Sequence, residues 1–354
     1  MFMALQMENL KRDMRSLTAE EWKAFAESRG WPAFRGTQIR QWLEKGVLDS
    51  DKMTNLPQSI REELRKTFDV FGVNIEKKLV SQVDNTVKYL YALRDGETVE
   101  SVLMQYRHGW SQCLSTQVGC KMGCVFCATG MGGFVRNLTA SEMLAQVEAA
   151  QEDNGIRVSS VVLMGMGEPL ENFDEVLRFV TELASPGGVQ IGMRHISLST
   201  CGLVDGIYRL MEHNLQLTLS VSLHAPNDEL RSRLMPVNRR WPLPELMKAC
   251  REYFRVTGRR ISYEYAMIDG VNDTDACADQ LAALLSGTVS HVNLIPANHV
   301  AGSPLQRSSA RRLREFQNRL AKQGINVTVR RTLGADINAS CGQLRRKEQQ
   351  GKMV

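Results

Sequence analysis

The chain has 354 residues, of which 43% are hydrophobic and 23% charged, a composition that argues against disorder and suits a small domain followed by one of barrel size. Its net charge of +5 is compatible with an RNA partner without requiring one, and no apolar run approaches the roughly 18 residues of a membrane helix, so no membrane span is expected. Eight cysteines at irregular spacing, behind an N-terminus that lacks the basic and apolar regions of a signal peptide, point to the cytoplasm and to ligating, catalytic or packed thiols rather than a disulfide framework.

Residues 1–95 read as an accessory module, mainly helical, that suits RNA binding. Helical signals cover 18–28, 36–45 and 57–67, followed by a hairpin-like segment ending in Val87–Arg94 and the turn pair Asp95-Gly96. Trp22, Phe25, Trp31, Phe34 and Trp42 recur at roughly helical spacing, as a small core requires. Lys23, Arg29, Arg35 and Arg40 lie among them and leave a base-stacking RNA platform as the second reading.

From about residue 98 the pattern becomes short apolar runs alternating with amphipathic stretches, the mark of repeated βα units. Strands are expected at 110–116, 159–163, 195–198, 217–221, 261–267, 291–295 and 326–330. Helices are expected from Thr139, where Thr139-Ala-Ser-Glu142 forms a capping box, and at 173–184, 243–256, 275–285 and 310–322. Six or so repeats predict an α/β fold with a partial parallel barrel of the (βα)6 type over residues 96–354. Ligands of such folds bind beyond the carboxyl ends of the strands.

The most informative stretch follows the first barrel strand. Cys120, Cys124 and Cys127 form a C-x3-C-x2-C triplet without a fourth ligand at nearby spacing. A zinc site would need that fourth Cys or His. Three thiolates on a [4Fe–4S] cube leave one iron open, unlike the four-cysteine ligation of electron-transfer ferredoxins. The stretch resembles the cluster motif of radical-SAM enzymes, which implies S-adenosylmethionine (SAM) at the open iron. After the second strand, Gly165-Met-Gly167-Glu168-Pro169 offers close backbone approach and an acceptor for the SAM ammonium group. Later strand ends supply Ser199, Ser222-Leu223-His224 and Asn298 as candidate contacts to a ribose or carboxylate.

Two further cysteines sharpen the reading: Cys113, seven residues before the triplet, and Cys341, in Cys341-Gly-Gln-Leu344. With Pro32–Ile39, Asp51–Pro57, Gly165–Pro169 and Ser222–Asp228 in matching order, the whole chain resembles the RlmN/Cfr family of radical-SAM RNA methyltransferases. The resemblance implies two SAM molecules per turnover. Cys341 takes a methyl group from one, and the second yields a 5′-deoxyadenosyl radical that activates this methyl group for addition to adenine. It further implies that Cys113 releases the product through a transient disulfide, that Glu100 deprotonates the substrate carbon, and that a reductant such as flavodoxin or ferredoxin supplies electrons. Pro169 and the His224–Asp228 run look more like members that methylate adenosine C2 in 23S rRNA and beside tRNA anticodons than like those that methylate C8. A non-enzymatic iron–sulfur protein that binds RNA or senses redox state is the reading from another class. Cys201, Cys250 and Cys277 read as packed thiols, and the arginine clusters at 239–240, 255–260, 307–314, 330–331 and 345–347 as solvated faces or RNA contacts in equal measure.

Overall fold

A computed structural model describes residues 11–70, 72–185, 188–298 and 303–339. The N-terminal module is helical, with α1 (Ala19–Ser28), α2 (Phe34–Glu44) and α3 (Gln58–Thr67). Thr18 starts α1 through a capping box: its hydroxyl accepts from Glu21 N at 3.1 Å, and the Glu21 carboxylate accepts from Thr18 N at 2.7 Å. Trp22 is fully buried against Phe25 and Phe68, and Ile39 and Leu64 close the same core. The aromatic run therefore builds a core, from which Phe34 alone of the large aromatics of α1 and α2 stands half exposed. Arg15 with Glu148, Arg40 with Glu182, and Arg178 with the carbonyl of Ser16 fasten the module to the rest of the chain.

Ten strands form one sheet in chain order: β1 (Asn74–Val80), β2 (Val87–Ala92), β3 (Thr98–Tyr106), β4 (Gly109–Cys113), β5 (Val158–Leu163), β6 (Ile196–Thr200), β7 (Thr218–Ser222), β8 (Ile261–Met267), β9 (Ser290–Pro296) and β10 (Val327–Val329). The first four are antiparallel neighbours, and β4 to β10 are all parallel. When parallel strands pair in sequence order, right-handed crossovers place every connecting segment on one face. These connections carry α4 (Ala128–Met131), α5 (Ala140–Asn154), α6 (Phe173–Ala184), α7 (Val204–Glu212), α8 (Asp228–Leu234), α9 (Leu243–Thr257), α10 (Asp275–Leu285) and α11 (Ala310–Lys322). The strands alternate accordingly. Leu198, Leu219, Tyr263 and Leu294 are buried in the main core, while Ser197, Ser220, Ser262, Glu264 and Asn293 line a lumen cavity of about 560 Å³. The result is a partial parallel barrel whose sheet edges are β1 and β10.

Three differences from the sequence reading have physical causes. Residues 74–92, grouped by sequence with the helical module, are strands of the large sheet. Tyr89 and Tyr91 of β2 turn to the helical layer, bonding Asp153 at 2.7 Å and the Gln146 carbonyl at 3.3 Å, which joins the hairpin to the barrel core. The strand expected over 110–116 stops at Cys113. Leu114–Thr116 turn away because Ser115 Oγ donates to the Glu100 carbonyl and accepts from Met166 N. The short helices α7 and α8 were not anticipated, although Asn227 caps α8 by accepting from Leu230 N. No helix among the described residues is long and apolar enough to cross a membrane.

Candidate active site

The cysteine loop is shaped by a small hairpin, Gln117–Gly119 against Phe134–Asn137. Cys120 N donates to Gly133 O at 2.8 Å and closes the loop at its base. Gly119 has φ +78°, and a Cβ there would lie 1.9 Å from Gly133 O, so only glycine fits. Val125 N donates to Leu234 O at 3.0 Å, and the Phe126 ring meets the His224 ring edge-on at 4.7 Å, docking the loop on α8 and the end of β7.

Cys120, Cys124 and Cys127 are each only partly buried. Burial pushes the Cys120 thiol up to about 12, and Cys127 adds to the rise; Cys124 is raised further by burial and then by Cys127 and Cys120. The three sulfurs are therefore electrostatic neighbours whose protons a metal centre would displace. Among the described residues no three His, Cys, Asp or Glu side chains gather around a point as ligands of one ion do. Three soft thiolates on a short loop fit a cluster, where each binds a different iron.

Glu168 forms the other wall. It is buried, and burial raises its carboxyl above the ordinary range. One oxygen accepts from Leu170 N at 3.0 Å and the other from Cys201 N at 2.7 Å, joining the ends of β5 and β6. The side chains of Cys201 and Thr200 bond the carboxylate as well, so an ammonium group would bind there in exchange for one of these weaker donors. Gly167, at φ +109°, packs where a Cβ would strike Gln117 and Thr116, and Glu168 N donates to Gln117 Oε1 at 2.9 Å. The glycine turn is thus seated directly on the strand that leads into the cysteine loop.

Ser199 lies half-buried on β6, and Ser222 ends β7. Leu223 is buried in the core and presents backbone only, its N–H bonded to Glu264 O. His224 has the left-handed φ of +57°, and its Nδ1 accepts from Ala266 N at 2.9 Å. Burial, then the nearby Arg231 cation, lowers His224 to about 3, so the ring is neutral with its proton on Nε2. Asn298, two residues past β9, is exposed.

Glu100 is not the exposed edge carboxylate its position on a strand would allow. Its side chain is wholly buried and pairs with Lys88 at 2.9 Å. Cys113 is also buried, opposite Val102 on β3, in a cluster with Met104 and with Leu333 and Ala339 of the C-terminal segment. Cys341 lies outside the described residues, as do residues 345–347. Glu100 and Cys113 are therefore brought beside the segment that leads to Cys341. Cys201, Cys250 and Cys277 are buried thiols, as expected. Of the basic clusters, Arg240 pairs with Asp205, Arg255 with Glu252, and Arg312 with Asp275 and Glu315, as solvated faces do.

Two residues escaped the sequence reading. Lys88 sits in an apolar alternation with nothing to mark it as buried. Arg231 is fully buried and donates to the carbonyls of Cys201, Ser222 and Leu223 and to Asn238 Oδ1, at 2.7 to 3.2 Å. It ties together the ends of β6 and β7 beneath the cysteine loop.

A cysteine loop and glycine turn at the carboxyl ends of a partial parallel barrel define a radical-SAM protein, and residues 114–279 match the Radical SAM superfamily. Residues 9–70 match the ribosomal RNA large subunit methyltransferase N-terminal domain. The chain is 50% identical over 340 residues, 96% of its length and 99% of the relative's, to a probable dual-specificity RNA methyltransferase RlmN of Alkaliphilus oremlandii. It is 47% identical, over 97% of each chain, to a protein of the same description from Lachnoclostridium phytofermentans. A crystal structure of a radical SAM methyltransferase from Sphaerobacter thermophilus superposes with a TM-score of 0.86 at 44% identity, over 94% of this chain and 98% of that one. The chain belongs to the RlmN family of radical-SAM RNA methyltransferases.

Proposed function

We propose that the protein methylates C2 of adenosine in 23S rRNA and in tRNA beside the anticodon, through a methyl group carried on Cys341. The observation that carries this reading is the convergence of buried Cys113 and Glu100 with the segment leading to Cys341, at a barrel that also carries the cysteine loop. Cys120, Cys124 and Cys127 would hold a [4Fe–4S] cluster, which with SAM at its open iron supplies a 5′-deoxyadenosyl radical when a flavodoxin or ferredoxin delivers an electron. The Gly167 turn, Glu168, Ser199, Ser222 to His224 and Asn298 would bind that SAM.

The chain's own groups do the rest. Cys341 attacks the methyl carbon of a first SAM as a thiolate, and so two SAM molecules are used per turnover. A hydrogen atom is then removed from this methyl group, its carbon adds to adenine C2 as a radical, and the adduct gives up its unpaired electron, which would return to the cluster held by Cys120, Cys124 and Cys127. Glu100 takes the proton from C2. Cys113 attacks the Cys341 sulfur; the sulfur–carbon bond breaks with its electron pair going to carbon, which takes up a proton to become the methyl group, and the disulfide that remains is reduced by an external thiol before the next turnover. The N-terminal module, with Lys23 and Arg29 exposed, would hold RNA beside the barrel in the cytoplasm.

Reconstituted protein supplied with reductant, SAM and either RNA should yield 2-methyladenosine on digestion to nucleosides. Finding 8-methyladenosine as the main product would overturn the position. A protein that forms no 5′-deoxyadenosine would belong to the non-enzymatic class.

A further inference from the structure

Glu100 is one half of a buried ion pair whose other half, Lys88, has no part in the chemistry above. Lys88 and Glu100 have side chains 1% and 0% exposed, with Nζ 2.9 Å from Oε2. Lys88 faces Val102 across β2 and β3 and is diagonal to Glu100. Burying an ammonium and a carboxylate is costly, and such pairs persist where further hydrogen bonds complete them. The completing bond is informative: Lys88 Nζ donates at 3.0 Å to the carbonyl of Asn338, three residues before Cys341.

The same hairpin holds that segment at several points. Ser81 Oγ and Gln82 N donate to the two oxygens of Asp336 at 2.7 and 2.8 Å, and Asp84 accepts from Gly334 N at 2.8 Å. Leu333 and Ala339 pack on the cluster that contains Cys113. The turn between β1 and β2 thus clamps residues 334–338, and Lys88 bonds both the carboxylate and the clamped segment.

We propose that Lys88 is a positioning residue that ties Glu100 to the Cys341 segment, so that base and methyl carrier reach the same substrate carbon. The inference rests on the roles of Glu100 and Cys341 proposed above. It makes the proton-removal step, rather than SAM cleavage, depend on an ammonium contributed by the hairpin.

The test compares Lys88→Met and Glu100→Gln in the full chain, each with the cluster reconstituted and supplied with reductant, SAM and RNA. Under single-turnover conditions both should keep cluster absorbance and form 5′-deoxyadenosine within about threefold of the parent, lose methylated nucleoside at least 100-fold, and accumulate covalent protein–RNA adduct. If Lys88→Met does not fold, Lys88→Gln, which keeps a donor without the charge, is read the same way. Loss of deoxyadenosine and product in equal proportion would make Lys88 merely structural and overturn the proposal. Normal product from Lys88→Met beside a stalled Glu100→Gln would overturn it while sparing the role of Glu100. Normal product from Glu100→Gln would remove that role, and the proposal with it.

Discussion

Arg231 shows how much a single side chain can hold when it is buried without a carboxylate bonded to it. Its guanidinium bonds carbonyls at the ends of two strands; Leu223 O keeps a second donor in Ala225 N, but truncating Arg231 would strip this buried donor from the carbonyls of Cys201 and Ser222 and from Asn238 Oδ1. Arg231→Met is expected to cost about 3–5 kcal/mol, read as a lower urea midpoint; a loss below about 1 kcal/mol would contradict the role. His224 gives a pH dependence of definite sign. Its folded value lies near 3, against 6.5 for an unperturbed side chain, so the unfolded chain binds the proton between these values. Stability from this group is complete above about pH 6.5 and falls as pH drops toward 3. Between pH 7.5 and pH 5 the loss is about 2 kcal/mol, so the stability difference between the parent and His224→Asn, which tolerates the left-handed φ, should shift against the parent by that amount. A pH-independent difference would place the imidazole in contact with water.

The cysteine loop fails or holds as an element. Gly119 and Gly133 both have positive φ, yet a Cβ on Gly119 meets Gly133 O at 1.9 Å while one on Gly133 meets nothing within 4 Å. Gly119→Ala should therefore lose the cluster, measured as iron and sulfide per chain, with far-UV circular dichroism unchanged. Gly133→Ala should bind near-normal iron, since left-handed strain costs only about 1–2 kcal/mol. Equal iron loss in both would show that backbone strain rather than the close approach governs the loop. Elements with strong local signals were legible: α6, α10 and α11 match the expected bounds, and Thr139 caps α5 through the box read from Thr139 and Glu142. The nine-residue α7 and seven-residue α8 were not, because a few turns carry too little periodicity and their packing on the barrel sustains them.

At the scale of the whole molecule, the sheet decides where the catalytic unit begins. A chain starting at residue 96, the boundary read from the change of hydrophobic pattern, would lack β1 and β2 and leave β3 as a raw edge without Lys88. A chain starting at residue 72 keeps the whole sheet. The longer fragment should be monodisperse on gel filtration and take up iron, and the shorter one should aggregate. A soluble, cluster-binding fragment from 96 would show that the hairpin is dispensable to the fold.

The cysteine triplet, the glycine turn, the Thr139 capping box and the βα alternation were determined by the sequence alone, because each is set by the spacing of residues a few positions apart. The burial of Glu100, its pairing with Lys88, the seat of Cys113 on the C-terminal segment and the depth of Arg231 were decided only by tertiary structure. Lys88 and Glu100 meet through the register of two antiparallel strands, and Asn338 comes to them from 250 residues away. No local pattern encodes such a meeting. A lysine or arginine in an otherwise ordinary stretch becomes a buried partner only when the fold brings it a carboxylate or a set of open carbonyls that water cannot reach.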